Sequence, residues 1–144
     1  MVYSETVKKA SLICFDAHKD DVDKGGYPYV MHPFCLAFQM PDEDSACVAL
    51  LHDVIEDHSD KYSFEYLEKA GFNENVLAAL RLLTHEEGVP YMEYVANIKT
   101  NETATRVKIA DLKHNLDSTR REGDKSFYKD ETYRKALAYL TNKE

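Results

Sequence analysis

The most hydrophobic stretch of the chain, DSACVALLHDVIED, is interrupted by His52, Asp53, Glu56 and Asp57. If the stretch is helical, His52 and Glu56 share one face, and Asp53 and Asp57 share the face one residue round. One edge of an apolar helix then carries an imidazole and three carboxylates, and desolvating unpaired carboxylates is costly. A divalent cation compensates that charge. The dipeptide His-Asp means little alone, but it has company. His32 stands in front of Pro33, and Asp111 lies in the apolar-patterned RVKIADLKHN. Two imidazoles and two carboxylates suit a borderline ion such as Mn, Fe, Zn or Co rather than an all-oxygen calcium site. A metal so held lowers the pKa of a bound water and polarises a phosphoryl oxygen, while a neighbouring carboxylate moves the proton. Lys108, Asp111 and Asn115 fall on one helical face, so a ligand that reaches the metal reaches them too. Lys24 supplies a cation for a phosphate. There is no glycine-rich phosphate loop, which argues against ATP-dependent transfer.

The elements that must position these residues are helical throughout. Ser4 is expected to cap a first helix whose apolar residues Val7, Ala10, Ile13, Cys14 and Ala17 recur at three- and four-residue steps. It stops near Asp20, where Gly25, Gly26, Pro28 and Pro33 predict an ordered loop. A short helix over about 33–40 follows. The segment from Asp44 through Asp57 reads as one central, buried helix. Ser63 opens a short helix ended by Gly71, Asn73 caps another, and Pro90 starts a further one running to about Thr100. ETATRVKIADLKHNLDSTRR reads as one long helix, and a last helix buries Tyr133, Ala136, Leu137 and Leu140. The expectation is an all-α bundle of about eight helices in a single domain over 1–144.

Composition narrows the partners. With 144 residues, 44% of them hydrophobic, the chain has enough apolar material for one core. A net charge of −8 disfavours nucleic acid and anionic membrane surfaces, whose binding needs a basic footprint. No apolar run approaches the roughly 18 residues of a membrane helix, and the N-terminus lacks the apolar stretch of a secretory signal. Cys14, Cys35 and Cys47 are odd in number and set among apolar neighbours, which reads as buried free thiols in a reducing, cytoplasmic compartment. His18, His58, His85 and His114 read as surface or internally satisfied histidines. No sequence feature specifies an oligomeric state.

The order His32, His52–Asp53, Asp111 resembles the metal signature of the HD-domain phosphohydrolases. GGYPYVMHP, ALLHDVIED and KIADLKHN are similar to three segments of the hydrolase domain of the Rel/Spo alarmone enzymes and of the small stand-alone alarmone hydrolases. The resemblance runs from about residue 4 to residue 120. It implies an HD-domain helical bundle that removes the 3′-pyrophosphate from guanosine 3′,5′-bis(diphosphate), ppGpp, or its triphosphate analogue, releasing GDP or GTP. It also implies one divalent cation, usually Mn²⁺, held by His32, His52, Asp53 and Asp111. Glu56 and Asp57 match the acidic pair that handles the attacking water. Lys24 and Tyr29 fall in the loop that contacts the nucleotide, and Asn115 matches a residue on its ribose–phosphate side. The chain ends soon after this region, so the expectation is a degradative enzyme without a synthetase domain.

The sequence departs from that pattern twice. Asp23 stands where many alarmone hydrolases carry an arginine that stacks on guanine, and aspartate offers no planar cation. Leu116-Asp117-Ser118 follows Asn115 where relatives often have a basic residue. Positive charge near the phosphate site is therefore expected to be reduced. Two other readings stay open at this point: an HD phosphatase acting on another nucleotide or dinucleotide, and a metal- and nucleotide-binding sensor with little turnover.

Overall fold

The computed structural model describes residues 1–121 and 128–142. They form nine α-helices: α1 (Glu5–His18), α2 (Met31–Phe38), α3 (Glu43–Leu51), α4 (Val54–Asp57), α5 (Phe64–Lys69), α6 (Glu74–Leu83), α7 (Tyr91–Lys99), α8 (Glu102–Asn115) and α9 (Asp130–Thr141). A single 3-10 turn, Ser118–Arg120, follows α8. Among the described residues the only β pairing is an isolated bridge between Val22 and Pro28. The all-α expectation holds.

The helix starts follow from local chemistry. Ser4, Asp42, Ser63, Asn73 and Asn101 each accept the N–H of the residue three positions on, which satisfies one of the free donors of a helix's first turn. Gly71 ends the segment after α5 at φ +99°, a conformation open to glycine without strain. α3 is the axis of the bundle. Every residue from Ser45 to Leu51 is buried, and the helix packs against α1, α2, α6 and α8. Leu36, Leu50, Leu51, Leu67, Leu77, Leu80, Ile98 and Leu112 are fully enclosed in one continuous core. Burial of each such side chain contributes about 1.5–3 kcal/mol. No helix among the described residues is long and apolar enough to cross a membrane.

Three expectations are corrected. The run from Asp44 to Asp57 is not one helix; it breaks at His52–Asp53 into α3 and α4. The His52 ring lies 2.6 Å from the Ala49 carbonyl through Nδ1, taking the acceptor that the Asp53 N–H would use in an unbroken helix. α8 ends at Asn115 rather than continuing through Arg121. Asp117 starts a new turn by accepting the Thr119 N–H at 3.0 Å. Arg120 and Arg121 then fold back and donate to the carbonyls of His114 and Asn115, at 2.8 and 2.6 Å. Cys14 and Cys47 are buried free thiols, but Cys35 is only partly covered.

Candidate metal centre and anion cleft

The break between α3 and α4 has a consequence for chemistry. It puts His52 and Asp53 at a joint, where both side chains turn toward the N-terminus of α2 and the middle of α8. His32 comes from the first turn of α2, where the Pro33 ring sacrifices an N–H that has no helical partner. Asp111 comes from the buried face of α8. His32 Nε2 lies 2.8 Å from Asp111 Oδ1, His52 Nε2 lies 3.6 Å from the same oxygen, and His52 Nε2 lies 3.0 Å from Asp53 Oδ2. The donor atoms of His32, His52 and Asp53 fall within 4.8 Å of one another. Four residues from three separate segments thus converge on one point.

The test of whether a cation fits is His52. Its Nδ1 is taken by the Ala49 carbonyl, which leaves Nε2 facing two carboxylate oxygens. Despite the 3.0 Å approach to Asp53, that nitrogen is buried and has no partner with hydrogen-bond geometry. A lone pair enclosed with two carboxylates is repulsive, and a cation at that point turns the repulsion into ligand bonds. The donor set, two imidazole nitrogens and two carboxylate oxygens, suits a borderline divalent ion.

Surrounding groups hold the ligands in place. Tyr29 donates its hydroxyl to Asp53 Oδ2. Lys108 donates to Asp111 Oδ2 at 2.9 Å, and Asn115 Nδ2 to Asp111 Oδ1 at 3.1 Å. Lys108 is therefore bonded directly to Asp111, with its ammonium 5.4 Å from the centre of the Tyr94 ring. His114, read from sequence as a surface or satisfied histidine, supports His32. Their Nδ1 atoms are 2.6 Å apart, and the ring planes are nearly parallel, 9° from one another. Burial, then the neighbouring Arg120 charge, push the His114 imidazole down to about 4, so at neutral pH it is an uncharged acceptor for the His32 proton.

Above this floor opens a cleft of ≈ 540 Å³. One wall is acidic. Asp53, Glu56 and Asp57 line it, and Glu56 Oε1 accepts the His85 N–H at 2.6 Å. Burial raises the Glu56 carboxyl above its ordinary range. Burial, followed by the charges of Asp53 and Glu56, pushes Asp57 up to about 6. Another stretch of the wall carries Lys24, Arg120, Arg121 and Lys129, with Asp23 3.6 Å from Arg120 and Asp130 2.9 Å from Arg121. The Tyr91 hydroxyl, on the cleft lining, is buried without a hydrogen-bond partner. Arg120 and Tyr91 were not legible as site residues; only the 3-10 turn brings Arg120 in.

Arg120 bears on the expectation of reduced positive charge at Asp23. Asp23 Oδ1 accepts the N–H groups of Gly25 and Tyr27, both at 2.9 Å, and so shapes the loop. Its other oxygen lies 3.6 Å from Arg120 Nη2. A guanidinium, that of Arg120, thus stands directly beside Asp23 at this end of the cleft. Loop and turn touch through backbone: a Cβ at Gly25 would lie 2.0 Å from the Arg120 carbonyl oxygen.

No protein-family model matches the chain. Among curated proteins, a 55-residue stretch is 40% identical to the bifunctional (p)ppGpp synthase/hydrolase SpoT of Escherichia coli K12. The same identity over 55 residues relates it to the guanosine-3′,5′-bis(diphosphate) 3′-pyrophosphohydrolases of Escherichia coli O157:H7 and Shigella flexneri. The match covers 35% of this chain and only 8% of each relative's length. Among solved structures, a metazoan ortholog of SpoT that hydrolyses ppGpp superposes with a TM-score of 0.77 at 23% identity. That match covers 97% of this chain and 87% of the other. Over nearly its whole length, the chain shares the helical fold of that structure.

Proposed function

We propose that this chain is a metal-dependent phosphohydrolase of a nucleotide pyrophosphate, removing the 3′-pyrophosphate of ppGpp or its triphosphate analogue. The observation that carries the reading is the unpartnered His52 nitrogen at the bottom of a cleft with one acidic and one cationic wall. A polyanionic substrate fits the cationic wall, and a cation fits the floor. The likeness to ppGpp hydrolases in fold, and over a third of the sequence, supports the substrate class. Three unpaired thiols suit a reducing compartment such as the cytoplasm.

His32, His52, Asp53 and Asp111 would hold the ion, for which Mn²⁺ is the proposed identity. When bound, it supplies a water of lowered pKa and a Lewis acid for a phosphoryl oxygen. The rest of the chemistry belongs to the chain. Asp57, poised at about 6 by burial and its acidic neighbours, accepts the proton of the attacking water. Glu56, fixed by the His85 N–H, orients that water. Water oxygen adds to the phosphorus nearest the ribose, the bond from phosphorus to O3′ breaks, and the proton passes to O3′. GDP and pyrophosphate leave. Lys24 and Arg120 neutralise the phosphates, and Asn115, Tyr29 and Lys108 hold the ligands that face them.

The test is hydrolysis of ppGpp by purified protein with Mn²⁺, products separated by ion exchange, with Asp53→Ala in parallel. GDP and pyrophosphate from the wild type alone are expected. Orthophosphate release would transfer the site to another nucleotide phosphatase reaction. Metal binding without turnover on any nucleotide would overturn the enzymatic reading.

A further inference from the structure

Behind Tyr29 lies a second convergence of metal-ligating side chains. His18, the last residue of α1, is fully buried. Its Nδ1 lies 3.1 Å from Asp21 Oδ2, and His58 Nε2 lies 2.6 Å from the same oxygen. The three donor atoms fall within 4.8 Å of one another, and the two imidazoles meet edge-on at 5.2 Å between ring centres. None of these residues belongs to the site described above. The Tyr29 ring stands between the two, 5.0 Å from His18 and 5.7 Å from His32.

The backbone at each position is held independently of the cluster. The Asp21 N–H donates to the His18 carbonyl at 3.0 Å, and the Asp21 carbonyl accepts from Tyr29 at 2.9 Å. His58 closes α4 through its N–H to Val54, and its carbonyl accepts from Lys61 and Tyr62. The side chains are thus presented on a preformed frame, which lowers the ordering cost of binding. The His18 ring carries a second indication. Its Nε2 is buried with no hydrogen-bond partner, while Nδ1 has Asp21 Oδ2 as its partner. A cation between Nδ1 and Oδ2 would take the place of that hydrogen bond, with the proton of the neutral ring on Nε2. Burial, the larger influence, lowers the basicity of His18 and favours that neutral ring. Asp21 and His58 keep 35% and 26% of their side-chain surface exposed, leaving an open side for entry and for a water ligand.

We propose that His18 Nδ1, Asp21 Oδ2 and His58 Nε2 form a second divalent-cation site, for a borderline ion of the Zn²⁺ or Co²⁺ class. Two nitrogens, one carboxylate oxygen and a solvent-facing fourth position match the tetrahedral preference of such ions. The ion ties the ends of α1 and α4 to the loop that carries Lys24 and Tyr29. It is a fastening site, distinct from the cleft floor.

The test uses metal-stripped full-length chain titrated with Co²⁺, followed by calorimetry and by the visible absorption of tetrahedral Co²⁺. Wild type is expected to take two equivalents and Asp53→Ala one. In the Asp53→Ala background, Asp21→Asn and His58→Gln are each expected to weaken the remaining equivalent at least 100-fold and to abolish its tetrahedral spectrum. Asp21→Asn preserves the shape of the side chain, and circular dichroism verifies that each variant is folded. No Co²⁺ bound to folded Asp53→Ala, or binding there unchanged by both substitutions, would overturn the proposal. Because the readout is stoichiometry, it stands or falls separately from ppGpp hydrolysis.

Discussion

Replacing Lys108 by methionine isolates the electrostatic balance of the floor. The ammonium is 12% exposed and its partner Asp111 8% exposed, with 2.9 Å between Nζ and Oδ2. Burial works against the lysine charge, but Asp111 and the flanking tyrosines offset it, and the group stays protonated. Methionine keeps most of the volume and removes the charge, leaving Oδ2 of a buried carboxylate without its cation. Removing one partner of a buried pair costs about 3–5 kcal/mol. Asp111 Oδ1 retains His32 at 2.8 Å and Asn115 at 3.1 Å, which places the expected loss near the lower end, about 3 kcal/mol. For a domain of this length that is a fall in Tm of about 10 °C. The assay is urea and thermal denaturation in chelator-treated buffer, run as a double-mutant cycle with Asp111→Asn. A loss under about 1 kcal/mol would refute the argument. So would the same loss in the Asp111→Asn background, since it would show that Lys108 acts through something other than Asp111.

The remaining expectations concern the walls and the ligand supports. Asp57 at about 6 holds its proton more tightly folded than unfolded, where the carboxyl sits near 3.8. The metal-free fold therefore loses stability as pH rises from 4 to 6 and does not regain it above. Asp57→Asn removes that dependence. Discounted for the exposure of the side chain, it is expected to stabilise the metal-free protein by about 1 kcal/mol at pH 7.5 while lowering kcat about 10²–10⁴-fold. Equal urea midpoints for variant and wild type at pH 7.5 would contradict the burial argument. Arg120→Ala is expected to raise KM for ppGpp by about tenfold, roughly one charge-assisted hydrogen bond, with kcat little changed; an unaltered KM in steady-state kinetics would remove Arg120 from the anion wall. Tyr29→Phe deletes the hydroxyl that bonds Asp53 and should weaken Mn²⁺ binding by about tenfold, measured by calorimetry. Unchanged affinity would show that Asp53 needs no such support.

Much of this arrangement was legible in the residues, and the parts that were not share a cause. Ser4, Ser63 and Asn73 announce helix starts because a short polar side chain before an apolar-periodic run has one local function. His32, His52, Asp53 and Asp111 stand out because charged groups in apolar helices need a reason, and the structure does bring them together. The break after Leu51 was hidden because no glycine or proline marks it; a side chain, His52, competes for the Ala49 carbonyl instead. Arg120 was hidden because its place depends on where α8 stops, and that rests on the Asp117 cap and on two arginines turning back onto helix carbonyls. His58 and His114 looked ordinary because their partners, Asp21 and His32, are distant in sequence, and His18 because its neighbour Asp21 takes on meaning only once His58 joins it. Local pattern reveals which residues are anomalous; long-range closure decides which anomalies meet.

The contact between Gly25 and the Arg120 carbonyl separates two properties of the cleft that usually vary together. The way loop and turn meet there is gauged by main chain, since any Cβ at Gly25 would run into the Arg120 carbonyl. The charge there is set by side chains that point past the joint, as Asp23 and Arg120 do. A sequence can therefore trade which of the two segments, loop or turn, supplies a cation, and so retune which polyanion is held, without altering how the segments meet. The glycine acts as a shim: it leaves the electrostatics of that corner open to drift while the joint between loop and turn stays the same.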